Sequence, residues 1–307
     1  MDVTRQFRDV DDFSPAELET VLGMATDLKE RFDRGDSDDP LANRTLAMLF
    51  EKPSTRTRVS FETGMTQLGG HAIFLGPEDV GLGGREPTRD LSRTISRYAD
   101  AVMVRLFDHA DLEEFCAFAT VPVVNGLTDL AHPCQTLADL LTIRKHLASD
   151  FDASVTWIGD GNNVARSFAV GCGMVGLDCT ICTPAEYAIE ESVLDRARTF
   201  DAGGSIETTT DPREAAAGAD VVYTDVWVSM GEEAQREEKL AAFKSGDFQV
   251  NDALLDSGTE ILHCLPAHRG EEISEPVFES DRSLVWEQAE NRLHAQKGLL
   301  TFLLDAA

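Results

Sequence analysis

Short apolar runs alternate with segments of helical spacing along this chain, and the alternation occurs twice. In the first half, 46–50, 72–75 and 101–105 read as buried strands. A helix over 17–32 carries Leu18, Val21, Leu22, Ala25 and Leu28 on one face after Ser14-Pro15, and another begins beyond Pro53 with Phe61, Met65 and Leu68 on one face. A helix over 135–147 follows. The second half then repeats the scheme: strand 155–158, helix 164–174, strand 179–182, helix 190–200, and strands 221–223 and 260–263. A last helix covers 290–304, and the polar stretches 35–40 and 81–87 read as loops.

Such alternation implies an α/β protein of two domains, each a mainly parallel sheet flanked by helices. A length of 307 residues suffices for two cores. The expected division is 1–134, then a connecting helix over 135–149, then 150–289, and by its pattern alone the final helix could pack anywhere. Ligands of open α/β sheets bind beyond the carboxyl ends of the strands. The unusual polar clusters stand at those places: after Phe50, at Arg105, before Gln135, after Ile158, after Tyr223 and after His263. The coincidence predicts one shared cleft between the domains.

Composition narrows the class. Hydrophobic residues make up 42% and no long apolar run occurs, which suits a globular protein and not a membrane span. The first residues carry no apolar signal region, so a cytoplasmic location is expected. Lys and Arg number 27 against 55 Asp and Glu, a net charge of −28, and only six of the basic residues are lysines. That surface repels nucleic acid and anionic membranes. It serves either as a solubility device or as adaptation to molar salt, where a Debye length of about 3 Å screens the self-repulsion. The six cysteines are scattered, and Cys179 and Cys182 sit inside a strand-like run, so they are expected in the core rather than as redox or metal ligands.

Ser54-Thr55-Arg56-Thr57-Arg58 lies between a strand and a helix. Free amides at a helix start attract anions, and hydroxyls and guanidiniums add donors, so the cluster suits a phosphate; an N-cap with ordinary surface arginines is the other reading. It lacks the glycines and GK[ST] of a Walker loop. Arg105 can add a further cation. His132-Pro133-Cys134-Gln135 opens a helix with His132 and Gln135 one turn apart; the motif fits a structural helix start as well as a pair of cleft donors. Gly159-Asp160-Gly161-Asn162-Asn163 invites a dinucleotide reading, but Val164 stands where the third glycine belongs and no acidic residue ends the next strand. Asn163 offers an amide to a polar ligand instead. Asp225, in Asp225-Val226-Trp227-Val228-Ser229-Met230-Gly231, can pair with an ammonium group, and Ser229 and the turn can bind polar ends; a solvated loop is the other reading. Cys264, in His263-Cys264-Leu265-Pro266, is either a nucleophile or part of a strand end that holds an amine.

Together, in order and over about 45–295, these motifs resemble the ornithine carbamoyltransferases. Ser-Thr-Arg-Thr-Arg and His-Pro-x-Gln occur across carbamoyltransferases; Asp-x-x-x-Ser-Met-Gly and His-Cys-Leu-Pro point to ornithine. The resemblance implies transfer of the carbamoyl group of carbamoyl phosphate to the δ-amine of ornithine. Ser54, Thr55, Arg56, Thr57 and Arg105 would hold the phosphate. His132, Gln135, Arg105 and Thr57 would bind the carbamoyl end, with Arg292 closing over it. Asn163, Asp225, Ser229 and Met230 would bind ornithine, with Cys264 and Leu265 beside the reacting amine. Arg56, Arg105, His132, Cys264 and Arg292 would be the catalytic set. No metal or cofactor is implied, and a trimer or an assembly of trimers is. The family's loop before Gly83 presents a glutamine or histidine to the neighbouring subunit; Gly81 stands there, so the contact is lost or relocated. The rivals are a carbamoyltransferase for putrescine, N-acetylornithine or aspartate, an NAD-dependent oxidoreductase, and a silent subunit that keeps the fold.

Overall fold

The computed structural model describes residues 5–36, 39–81, 86–147 and 149–304. The chain forms two compact units, one of 1–141 with 292–307, the other of 142–291.

The first unit contains β1 (Gln6–Phe7), α1 (Pro15–Asp33), β2 (Thr45–Phe50), α2 (Thr55–Gln67), β3 (His71–Leu75), α3 (Pro77–Val80), α4 (Thr88–Ile95), β4 (Ala101–Arg105), α5 (His109–Phe118) and β5 (Val123–Leu127). Helix α6 (Pro133–His146) begins in it. Its five strands are parallel in the order β1-β5-β4-β2-β3. The near-continuous apolar run of β2 fits a strand covered on both faces. Ser14 and Glu17 close a capping box around Pro15, which fixes where α1 starts.

The second unit contains β6 (Ser154–Ile158), α7 (Asn163–Val175), β7 (Asp178–Cys182), α8 (Glu191–Arg198), β8 (Ile206–Thr209), α9 (Pro212–Ala216), β9 (Val221–Thr224), α10 (Arg236–Ser245), β10 (Glu260–His263) and α11 (Glu275–Phe278). Its strands are also parallel, in the order β10-β9-β6-β7-β8. Helix α12 (Val285–Leu303) starts here and ends in the first unit.

Both sheets have one point where the winding reverses. In the first it lies between β2 and β4, in the second between β6 and β9. Such switch points open a crevice beyond the strand ends. The residues that follow β2 and end β4 are Ser54–Thr57 and Arg105; those that follow β6 and β9 are Gly159–Asn163 and Asp225. Topology alone therefore selects the clusters that the motifs selected.

Several expectations need amendment. The last helix starts at Val285, five positions before residue 290. The stretch 81–87 is bracketed by α3 and α4, with Gly81 a left-handed cap (φ +51°) and 82–85 outside the described residues. Strands β5 and β8 were not expected. Asn125 and Gly126 interrupt the apolar pattern of β5, yet a Cβ at Gly126 would come within 2.5 Å of Met103 Sδ, so the glycine is a packing requirement. Strand β8 is a polar edge, half exposed, with no apolar run to betray it. Cys179 and Cys182 are both buried on β7. Three positions apart on a strand, they point to opposite faces and cannot close on one metal.

Candidate active site

The first unit gathers a cationic pocket at its switch point. Ser54 caps α2, its Oγ accepting from the Thr57 amide at 3.2 Å. This turns the start of the helix, with the exposed Thr55 and Arg56, towards the end of β4. Arg105 pairs with Phe50 in the β2–β4 register, and its pairing with β5 is irregular. Bulges of this kind re-aim side chains at the rims of sheets. Arg105 is buried, and its Nε has no hydrogen-bond partner among the described residues. Burial, then the charges of Arg292 and Arg56, press its pKa down. A buried guanidinium crowded by like charges is suited to an anion.

Arg292 reaches this group from α12. It donates to Gln135 Oε1 at 2.6 Å, to His132 Nε2 at 3.2 Å and to Thr57 Oγ1 at 3.1 Å. Gln135 in turn donates from Nε2 to Asp139 at 2.8 Å, which fixes the orientation of its amide. His132 is buried, and desolvation, then Arg292, Arg105, Lys52 and Arg56, hold its pKa well below 6.5. The ring is therefore neutral at pH 7. Since Nε2 accepts from Arg292, the single ring proton sits on Nδ1. Lys52, buried beside the pocket with its Nζ 4.8 Å from the Phe107 ring centre, belongs to the same cluster. Sequence reading missed Lys52 and Asp139, although Lys52 lies two residues before Ser54.

The second unit presents an acidic counterpart. Asp225 is buried at the end of β9 and accepts from Asn162 Nδ2 at 2.9 Å. Asn162 also caps α7, accepting from the Val164 and Ala165 amides. Asn163, partly exposed, is the first residue of that helix. One donor atom each of Asp225, His263 and Cys264 lies within 4.8 Å of the others. Both His263 nitrogens are engaged, Nδ1 with the Leu265 amide at 2.9 Å and Nε2 with Glu272 at 3.1 Å. The trio therefore offers a carboxylate and a partly exposed thiol, which suits an amine better than a metal ion. Leu265 adopts a left-handed φ of +62°, a conformation uncommon for a non-glycine residue. Ser229 is partly exposed and Met230 exposed, in a loop whose Ser229 amide donates to Glu232 at 2.9 Å.

Beyond β6, a Cβ at Gly161 would fall 2.5 Å from the Tyr187 carbonyl oxygen. That glycine is needed by the chain's own packing, and the first amides of α7 are capped by Asn162. The dinucleotide reading loses both of its supports.

Residues 5–145 match the carbamoyl-P binding domain, and residues 152–303 the Asp/Orn binding domain, of the aspartate/ornithine carbamoyltransferases. The chain belongs to that family. Among its relatives, the ornithine carbamoyltransferase of Haloquadratum walsbyi is 57% identical over 305 residues, covering 99% of both chains. That of Anoxybacillus flavithermus is 48% identical, over 98% of this chain and 96% of its own. The solved ornithine carbamoyltransferase of Pyrococcus furiosus superposes with a TM-score of 0.94 at 44% identity, covering 99% of this chain and 98% of that one. As a carbamoyltransferase, the chain carries its first cluster in the stretch matched to carbamoyl-P binding, except Arg292. That residue lies in the stretch matched to the Asp/Orn domain, yet its contacts place it with the first unit. Among the described residues, no helix is long and apolar enough to cross a membrane.

Proposed function

We propose that this chain transfers the carbamoyl group of carbamoyl phosphate to the δ-amine of L-ornithine, giving L-citrulline and phosphate. The observation that carries the reading is the meeting of Arg56, Arg105 and Arg292 around a neutral His132, with a buried Arg105 Nε lacking a partner. Such a pocket suits an anion, and the neutral donors beside the guanidiniums suit a carbonyl oxygen.

The phosphoryl oxygens of carbamoyl phosphate rest on the start of α2, with Ser54, Thr55, Arg56, Thr57 and Arg105 as donors. Arg105, Thr57 and the Nδ1 proton of His132 serve the carbonyl oxygen as negative charge builds there. Gln135 and Arg292 hold the carbamoyl end. In the second unit, Asn163, Asp225, Ser229 and Met230 take ornithine, and Cys264 and Leu265 stand by its δ-amine. The neutral amine attacks the carbonyl carbon: a C–N bond forms and the C–O bond to phosphate breaks. The bonding electrons leave on the phosphate oxygen, and the surplus amine proton leaves with the phosphate. Carbamoyl phosphate is already activated, so the protein's contribution is position and charge.

The division of labour is a carbamoyl phosphate-binding domain over 1–134 completed by 290–307, and an ornithine-binding domain over 150–289. A trimer-based assembly, a cytoplasmic location and adaptation to molar salt complete the proposal. It is tested by colorimetric citrulline-type ureido assay with ornithine, putrescine, N-acetylornithine and aspartate, at low and molar salt. Ornithine is the expected acceptor. Preference for any of the others overturns the assignment.

A further inference from the structure

The net charge of −28 leaves few lysines, and four of the six, Lys29, Lys52, Lys239 and Lys297, are buried. The ammonium of Lys239 is enclosed between two carboxylates. Its Nζ donates to Asp160 at 2.8 Å and to Glu232 at 2.7 Å, and its side chain is 3% exposed. Asp160 follows β6, two residues before the Asn162 that holds Asp225. Glu232 follows Met230-Gly231 and takes the Ser229 amide. One ammonium thus ties the two segments that flank the second unit's switch point.

Helix α10 grips the loop at a second point. Phe243, one turn beyond Lys239, stacks against Trp227 with ring centres 5.1 Å apart and planes at 11°. Phe243 also stacks with Tyr187, ring centres 5.5 Å apart. Trp227 stands between Asp225 and Ser229, so the helix fixes the loop's beginning by stacking and its end by charge. Burying an ammonium between carboxylates is a poor way to gain stability, because desolvation offsets the attraction. A buried ion set can instead fix one geometry among several. Lys239 also cancels negative charge close to Asp225, which leaves that carboxylate to meet an ammonium of the acceptor.

We infer that Lys239 is a positioning residue for the acceptor, clamping the loop 225–232 to the end of β6 through Glu232 and Asp160. The inference rests on the reading that this loop binds ornithine. Lys239 touches no substrate itself, so its loss shows in the acceptor's KM and not in the donor's.

The test is Lys239→Met, with Lys239→Arg as the conservative rescue, each assayed well below its melting temperature. The expected result is an ornithine KM raised by about tenfold or more, a carbamoyl phosphate KM within about twofold, and recovery of most of the loss in the arginine variant. Digestion with a glutamate-specific protease reads the clamp without any acceptor: cleavage after Glu232 or Glu233 should be faster in Lys239→Met than in the parent. Should Lys239→Met fail to fold, Glu232→Gln breaks the same link on the partly exposed side and should give the same split in KM. An unchanged ornithine KM in a folded variant, or equal rises in both KM values, overturns the inference. If the parent forms no citrulline, the acceptor reading falls by itself. Equal cleavage rates in parent and variant would then overturn the clamp.

Discussion

Arg292 donates through Nη1 to the Gln135 side-chain oxygen at 2.6 Å, joining α12 to α6 across 157 positions of sequence. Three hydrogen bonds from this one guanidinium, to Gln135, His132 and Thr57, align two motifs that are distant in the chain. Arg292→Ala is therefore expected to cut kcat by about 100-fold or more. Steady-state kinetics with a circular dichroism control check this. A loss below about tenfold would remove Arg292 from the transition state.

Arg105 is held in a place that disfavours its own charge. Replacing it by methionine, of similar reach, should abolish turnover without lowering the melting temperature of the ligand-free protein, since a crowded buried cation is removed. Phosphate at about a hundred times its Kd should stabilise the parent by about 2.7 kcal/mol. The variant should lose that response. Scanning calorimetry with and without phosphate decides it.

His132 supplies the pH dependence. Its folded pKa lies well below 6.5, so the unfolded chain binds a proton below that pH and the folded chain does not. The stability it contributes is therefore complete above pH 6.5 and is lost as pH falls towards the folded value. His132→Gln should flatten the slope of melting temperature between about pH 6.5 and 5. The acid limb of the activity profile should not lie near 6.5. A limb at 6.5 that vanishes in the glutamine variant would contradict a neutral ring.

Asp225 is buried and steadied by Asn162. Asp225→Asn should raise the ornithine KM by about tenfold or more while sparing that of carbamoyl phosphate. An unchanged ornithine KM would take Asp225 out of the site.

With a net charge of −28, self-repulsion is screened as salt is added. The melting temperature should rise between low and molar salt. A flat or falling curve would leave the acidity as a solubility device.

Much of the candidate site was legible in the amino-acid order because polar clusters stand out where apolar strands end. Ser54–Arg58, Arg105 and Asp225 were found that way, and the two switch points explain why the rule worked. Lys52, Asp139, Asp160 and Lys239 were not found. Lys239 meets Asp160 across 79 positions, so no local spacing announces the pair, whereas Asp139 stands one turn from Gln135 on the same helix and was overlooked. Strands β5 and β8 escaped for local reasons, a glycine required by packing and an edge too polar to show a period.

Titration calorimetry of a non-reactive carbamoyl phosphate analogue, phosphonoacetamide, tests the central claim most directly. It is compared at fixed salt, without ornithine, between the parent and Arg56→Ala, Arg105→Met and Arg292→Ala. The account expects the parent to bind and each arginine variant to bind about 100-fold more weakly. Binding within about threefold of the parent in all three would mean that the donor is gripped elsewhere.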